Sequence, residues 1–196
     1  MTQKSILRVL LNYVKCRHCH SVVYKYKRYT VYGIRHYDND DNPEDTTMSD
    51  SFFDTAVRWK QQGVSCLPCQ PGTKFLIKGV SPKHFLSNPP DLGQYYKWFV
   101  EQNCNLAILT GGGLAVLDFD DLGSYQGWQG PESYTVITRR GVHVYLWVAE
   151  EVNHTSPLCE IKYNQPVIAP PSVVGGHVYR VFYEKPIARV GRIEDI

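Results

Sequence analysis

The residues best suited to chemistry end an apolar run. In LAVLDFDD, residues 114–121, Asp118 and Asp120 alternate with apolar side chains. Since alternate side chains of a strand share one face, both carboxylates should point the same way while their neighbours enter the core. Such close carboxylates repel each other, and hard Mg²⁺ or Mn²⁺ ions relieve this. Alternatively, the acids only end a strand, with Asp121 in the turn.

A second segment, VITRRGVHVYLWV at residues 136–148, contains a histidine and two arginines. His143 alternates with valines along a predicted strand, so we expect it to face away from the core. Arg139 and Arg140 in the preceding turn could clamp a phosphate, and Thr138 could add a hydroxyl. A single histidine is more often a hydrogen-bonded residue of a sheet, and that alternative stays open.

A third segment, LCEIKYNQPVIAPPS at residues 158–172, supplies one more acid and one more base. Glu160 and Lys162 lie two residues apart, so on a strand they share one face. Glu160 is therefore a candidate third metal ligand, and Lys162 a candidate cation for phosphate. The alternative is an ion pair between them at the surface.

The pattern around these segments predicts helices first and antiparallel hairpins after them. Ser51 or Asp50 can cap a helix that ends near Gly63. The predicted class is α+β, a two-layer α/β arrangement with a mixed, largely antiparallel central sheet, flanking helices and an N-terminal lobe of helix and strand. A second helix is expected over 91–103, and strands over 64–69, within 105–121, and over 134–138, 142–148, 158–163, 165–172 and 177–184.

Length and composition are those of an ordinary globular protein. The chain has 196 residues, of which 43% are hydrophobic and 20% charged, enough for one good core. No apolar run approaches the roughly 20 residues that span a bilayer, and the start lacks the features of a signal peptide. We therefore expect a cytoplasmic protein with reduced cysteines and no membrane partner.

The first fifty residues differ from the rest in charge. Residues 1–37 carry lysines, arginines and tyrosines but no acid, and residues 38–50 carry acids but no base. We divide the chain into a basic extension with an acidic linker, residues 1–50, and a catalytic domain, residues 51–196. The basic arm suits nucleic acid, or it is a solvated extension.

Two cysteine pairs raise the question of zinc. Cys16 and Cys19 lie beside two histidines, and Cys66 and Cys69 lie in a predicted strand. A closed zinc site needs four ligands. Because the second pair falls in an apolar strand, we favour core or free thiols over zinc.

Taken in order, the segments resemble one family. Residues 52 to 183 resemble the bifunctional primase–polymerase domain of the archaeo-eukaryotic primase superfamily, which is usually found in replication proteins of plasmids, phages and viruses. Four blocks in order make the resemblance specific, although none is decisive alone. They are FFDTAVRWKQQGVSCLPCQPGTK, NLAILTGGGLAVLDFDD, YTVITRRGVHVYLWV and CEIKYNQPVIAPPS.

The resemblance implies an RRM-like catalytic core with two Mg²⁺ or Mn²⁺ ions. It makes Asp118, Asp120 and Glu160 the metal ligands and catalytic acids, and it places His143 at the phosphates of the nucleotide. Arg140 stands where the family commonly has glycine, so the phosphate loop departs from the family pattern there, and Glu160 stands where Asp is commoner. Further nucleotide-binding candidates are Thr138, Arg139, Arg140, Lys162 and Ser172, and the DNA-binding candidates are Lys74 and Lys78.

The implied reaction transfers nucleotides from NTP or dNTP to a strand on a DNA template or primer, with release of pyrophosphate. A helicase or another replication protein is an expected partner. Two alternatives stay open. One is a metal-dependent phosphodiester hydrolase that uses the same acids, and the other is a non-catalytic DNA-binding module of the same fold.

Overall fold

The computed structural model describes residues 51–150, 152 and 156–193. The predicted extension over residues 1–50, including Cys16, Cys19 and the two histidines beside them, lies outside the described residues. In the described part of the chain, no helix has the length and apolar character needed to cross a membrane.

The first helix begins where the sequence predicts. Helix α1 spans Phe52–Gln61, and the Ser51 hydroxyl accepts a hydrogen bond of 3.0 Å from the backbone N–H of Asp54. This bond satisfies one of the donors that every helix start leaves without a partner. The part of the chain that the structure describes has three further α-helices, α2 Pro82–Ser87, α3 Leu92–Tyr96, which continues as a π-helix over Lys97–Glu101, and α4 Leu122–Gly127.

The described strands form two main sheets and a hairpin. They are β1 Cys66–Cys69, β2 Asn105–Leu109, β3 Leu114–Phe119, β4 Thr135–Ile137, β5 Val142–Val148, β6 Glu160–Lys162, β7 Pro166–Ile168, β8 Val173–Val174, β9 His177–Val178, β10 Arg180–Tyr183 and β11 Ala188–Val190. The smaller sheet has the order β1-β2-β7, and the larger has the order β10-β4-β5-β3-β6 with β11 paired to β5. Strands β8 and β9 form the hairpin.

The predicted α+β class with a mixed, largely antiparallel sheet is confirmed. Among the described strands, only β11 pairs in parallel, along the last residues of β5. One strand prediction needs correction, because the strand expected over 177–184 is divided between β9 and β10, which pair with different partners. The sequence did not predict which sheet each strand joins, and β7 follows β6 along the chain but pairs with β2 in the other sheet.

The larger sheet is buried on both faces, which determines the surroundings of its charged residues. Val116 and Tyr145 face α1, where the ring of Trp59 stacks on that of Tyr145 with centroids 5.7 Å apart. Leu117 and Val144 face a second apolar cluster on the other side. A charged residue on either face therefore lies at the margin of a core, where desolvation has to be offset by a partner.

Cys66 and Cys69 are core residues, as predicted. Both are fully buried in β1. Burial raises the pKa of each thiol well above its usual value, so both are protonated at neutral pH. Protonated, enclosed thiols are poor metal ligands and poor nucleophiles.

Ser172 ties the chain after β7 to strand β2. Its buried hydroxyl accepts a hydrogen bond of 2.8 Å from the backbone N–H of Leu106 and donates one of 2.9 Å to the Leu106 carbonyl. Because Ser172→Ala leaves that N–H without its partner in the core, we expect it to lower the free energy of unfolding by about 1–3 kcal/mol in urea titrations.

The matched control is Ser81→Ala. Ser81 is an exposed N-cap whose side chain makes no capping hydrogen bond. Its replacement should change the free energy of unfolding by less than about 0.5 kcal/mol. Equal losses in the two variants would show that the Ser172 hydrogen bonds do not stabilise the fold.

Candidate active site

Three residues that are distant in sequence meet in one row across the larger sheet. Asp118 on β3 lies opposite His143 on β5, and on its other side it lies opposite Glu160 on β6. Directly opposed residues of antiparallel strands carry their side chains on the same face. The strand register alone therefore brings together an acid, a histidine and a second acid.

His143 is held against Asp118 at the edge of the core. Its Nε2 lies 3.3 Å from Oδ1 of Asp118, and its side chain is only 7% exposed. The expectation that His143 faces away from the core is wrong. His143 lies on the face of the sheet that packs against α1. Tyr145, two residues further along β5, lies on the same face and is fully buried.

Lys162 lies between two acids. Its Nζ is 2.5 Å from Oε2 of Glu160 and 3.6 Å from Oδ2 of Asp118. The ion pair that the sequence left open as an alternative is therefore present, and it extends to a third residue. The Lys162 side chain is 19% exposed, whereas that of Glu160 is 66% exposed. The largely enclosed lysine thus brings its charge between the exposed Glu160 and the enclosed Asp118.

Asp118 keeps its negative charge despite its surroundings. Burial raises the pKa of this carboxyl. The hydrogen bond and charge of His143 and the charge of Lys162 lower the pKa by more than burial raises it, so the net pKa of Asp118 is below its usual value. Asp118 is therefore an ionised, largely enclosed carboxylate at neutral pH.

Asp120 lies just beyond β3 and has a separate basic partner. Nη2 of Arg140 is 2.6 Å from Oδ1 of Asp120, and both side chains are exposed. Gly141 lets the β4–β5 turn come close to the end of β3, because a Cβ at position 141 would collide with the backbone carbonyl oxygen of Phe119. Thr138 stabilises the turn, since its hydroxyl accepts a hydrogen bond of 3.0 Å from the Gly141 N–H. The turn thus presents Arg140 to the end of β3.

The remaining predicted residues lie outside this network of ion pairs. Arg139 is exposed and forms no ion pair with any acid that the structure describes. The Ser172 hydroxyl is engaged by Leu106 and is not free to bind a ligand. Lys74 and Lys78 are exposed on the loop between β1 and α2.

Tyr179 belongs to the site, although the sequence did not single it out. It follows β9, and its ring lies 5.9 Å from that of His143 between centroids. Burial raises the pKa of the Tyr179 phenol, the charge of Asp118 raises it further, and the arginines of the β4–β5 turn lower it. Its hydroxyl therefore lies within the field of the charged cluster. The pattern HVYRVFYE contains three aromatic residues and gives no sign of which one approaches His143.

An open cleft of about 520 Å³ lies beside the acidic end of the row. Asp118, Asp120, Glu160 and the segment 156–161 contribute to its walls. The volume falls in the range of small-molecule sites. Arg139, Arg140 and His143 do not line this cleft, although Arg140 contacts Asp120 and His143 contacts Asp118 at its wall.

The three acids suit a divalent cation in their chemistry, because Mg²⁺ and Mn²⁺ prefer carboxylate oxygens. Each acid also contacts a basic side chain. In the residues described within 51–193, no group of three His, Cys, Asp or Glu side chains is close enough to hold a metal ion. The metal site therefore stays a prediction.

A comparison with known families gives a match over most of the chain. The family model described as bifunctional DNA primase/polymerase, N-terminal, matches residues 56–192. The chain belongs to this family. The resemblance inferred from the sequence is thus confirmed, and members of the family are generally nucleotidyltransferases of the primase–polymerase type. The comparison with curated proteins gives no match.

Asp118 should stabilise the fold in a pH-dependent manner. Because its folded pKa is below its unfolded value, its ionised form stabilises the protein above about pH 4, and this contribution is lost as the pH falls through the folded pKa. We expect Asp118→Asn to lower the free energy of unfolding by about 1–2 kcal/mol at neutral pH, with the difference shrinking towards about pH 3. Urea titrations of both proteins at several pH values measure this difference.

Glu132→Gln is the control for this experiment. Glu132 is largely exposed and pairs with Lys185 at the surface. Solvent screens such a pair, so its removal should have little effect at any of these pH values. A loss for Asp118→Asn that is constant across the pH range would contradict the assignment to an ionised carboxylate.

Proposed function

We propose that this protein is a DNA-dependent nucleotidyltransferase, a primase and DNA polymerase that extends or begins a strand from NTP or dNTP. The row of Asp118, His143 and Glu160 across adjacent strands carries the proposal, in a chain that belongs to the primase–polymerase family. Replication of a mobile element with a helicase as partner is the setting that the family resemblance suggests.

The basic residues around the row suit a nucleoside triphosphate. Arg139 and Arg140 leave the same turn, and a guanidinium group can give a phosphate two parallel hydrogen bonds. His143 and Lys162 add donors on either side of Asp118. These groups would offset the negative charge of the triphosphate, which the acids alone would repel. Thr138 acts on the turn that carries the arginines.

The acids would hold the metal. Asp118, Asp120 and Glu160 are the expected ligands of Mg²⁺ or Mn²⁺, whose charge would stabilise the attacking and leaving oxygens. The low pKa of Asp118 keeps this ligand ionised throughout the neutral range. His143 orients the same carboxylate through the 3.3 Å contact, so the ligand is preorganised by the sheet.

The reaction joins the 3′-hydroxyl oxygen of a strand to the α-phosphorus of the nucleotide. The bond from that phosphorus to the bridging oxygen of pyrophosphate breaks, and the hydroxyl proton passes to solvent. In the transition state, negative charge spreads over the reacting oxygens. Hydrogen-bond donors that are already in position stabilise this charge without having to reorganise. Side chains that project from paired strands provide such fixed donors and acceptors.

A primer-extension assay tests the proposal. A 5′-labelled primer on a DNA template, incubated with Mg²⁺ or Mn²⁺ and either NTPs or dNTPs, should give products longer than the primer. Asp118→Asn should lower the rate at least about a hundredfold, because it removes a charged ligand from the site. Glu132→Gln, at an exposed acid that pairs with Lys185 outside the row, should extend as the wild type does.

Other products decide between the alternatives. Shortened primers that also require Asp118 would identify a phosphodiester hydrolase. DNA binding without change in primer length, and without effect of Asp118→Asn, would identify a non-catalytic module. Either result would overturn the proposed function.

The loop between β1 and α2 has the properties of a contact for single-stranded DNA. Lys74 and Lys78 are exposed on it, and the Phe75 ring between them is 65% exposed. Asn105 anchors this loop by donating a hydrogen bond of 2.9 Å to the Thr73 carbonyl. Lysines bind phosphates, and an exposed ring can stack on an unpaired base.

Loss of both lysines should weaken DNA binding and make the binding less sensitive to salt concentration. For Lys74→Ala/Lys78→Ala, the slope of log K against log salt should fall by about 1.4, since each phosphate contact on a single strand contributes about 0.7. Fluorescence anisotropy with a labelled oligonucleotide measures this slope. Lys185→Ala/Arg192→Ala removes two charges from surface ion pairs elsewhere and should leave the slope nearly unchanged.

A further inference from the structure

A single ammonium group serves two carboxylates of the row, the enclosed Asp118 and the exposed Glu160. The Nζ of Lys162 is within ion-pair distance of both Asp118 and Glu160, at 3.6 and 2.5 Å. Because the lysine is largely enclosed, water screens these interactions less than at an exposed pair. The position where two acids converge is therefore already held by a positive charge of the chain itself.

We propose that the Lys162 ammonium is a built-in substitute for a divalent cation, which a metal ion displaces when it binds Asp118 and Glu160. This inference rests on the proposed function, which gives the acids their metal. A metal bound by both acids would compete with Nζ for carboxylate oxygens that the ammonium now contacts. Two cations cannot share them closely without strong repulsion, so occupation by one excludes the other.

Once displaced, the Lys162 ammonium would be free to contact another acceptor. Its Cα stays fixed in β6, while four rotatable methylene groups let the ammonium swing to a nearby acceptor. A triphosphate beside the acids supplies such an acceptor. Metal binding would then release the cation that the nucleotide needs, and by linkage the nucleotide would strengthen metal binding in return.

The other ion pair of the site is less suited to this exchange. Arg140 and Asp120 are both exposed, so solvent and salt weaken their attraction and either can separate at little cost. Arg140 also contacts one acid, whereas Lys162 bridges two. Lys162 is therefore the residue whose removal should change metal binding most.

Measuring the affinity of the protein for metal in the absence of nucleotide and DNA tests the inference. Mn²⁺ is titrated into the full-length protein, and the free ion is followed by its electron paramagnetic resonance signal. Lys162→Met keeps the apolar stem but removes the ammonium, and it should bind Mn²⁺ about tenfold more tightly than the wild type. Lys162→Gln provides a second neutral variant if the first does not fold.

Two controls separate direct competition from a general field effect. Arg139→Met removes a positive charge close to the row that contacts no described acid, and it should tighten Mn²⁺ binding by less than about threefold. Lys185→Met removes a lysine from an exposed pair with Glu132 and should have no effect. An equal gain in affinity for Arg139→Met and Lys162→Met would overturn the proposal.

Thermal unfolding provides a second readout. Without metal, the Lys162 variant should unfold at a lower temperature than the wild type, because Asp118 and Glu160 lose their shared partner. Added Mn²⁺ should raise the midpoint more in the variant than in the wild type. Equal shifts in the two proteins would count against displacement of Lys162.

The outcomes also distinguish this inference from the proposed function. Primer extension by the wild type, combined with unchanged Mn²⁺ affinity in both neutral variants, would overturn the exchange alone. Tighter Mn²⁺ binding by the variants, combined with no extension by the wild type, would support the exchange and overturn the polymerase assignment.

Discussion

The negative charge of Asp118 lies at the margin of a core that is apolar on both faces of its sheet, so it needs partners within reach. Both partners come from the flanking strands, His143 from β5 and Lys162 from β6. Their combined effect exceeds the desolvation of the carboxylate and leaves its pKa low. Removing either partner would leave a partly buried charge undercompensated, and for this reason the acid, the histidine and the lysine act as one unit.

Strand register makes this unit possible. Because β3 lies between β5 and β6, one residue of β3 has two direct neighbours, and a shift of a single residue would move His143 or Glu160 to the opposite face. The β4–β5 turn imposes a second constraint, since only glycine at position 141 lets the turn approach the end of β3. The apolar cores on both faces fix the register, and the register in turn fixes the charged row.

Local patterns were sufficient for much of this structure. The cap at Ser51, the alternation in β3 and β5, and the acids at the end of β3 are all visible in short windows of sequence. The approach of Lys162 to Asp118, the place of Tyr179 against His143, and the transfer of β7 to the smaller sheet depend on pairings between distant strands. Alternation along one strand shows which residues share a face, but not which face is covered or which strand lies beside it.

The three acids differ in how firmly they are held, and this difference bears on how a cation would enter. Asp118 is enclosed and fixed by His143, whereas Asp120 and Glu160 are exposed and each contacts the end of a long basic side chain. A cation arriving through the cleft would meet one fixed ligand and two that adjust by side-chain rotation alone. The sheet would not need to move, because the basic groups that give way are the ends of long, flexible side chains. Rigidity is thus concentrated in the pair of Asp118 and His143, and adaptability in the residues around it.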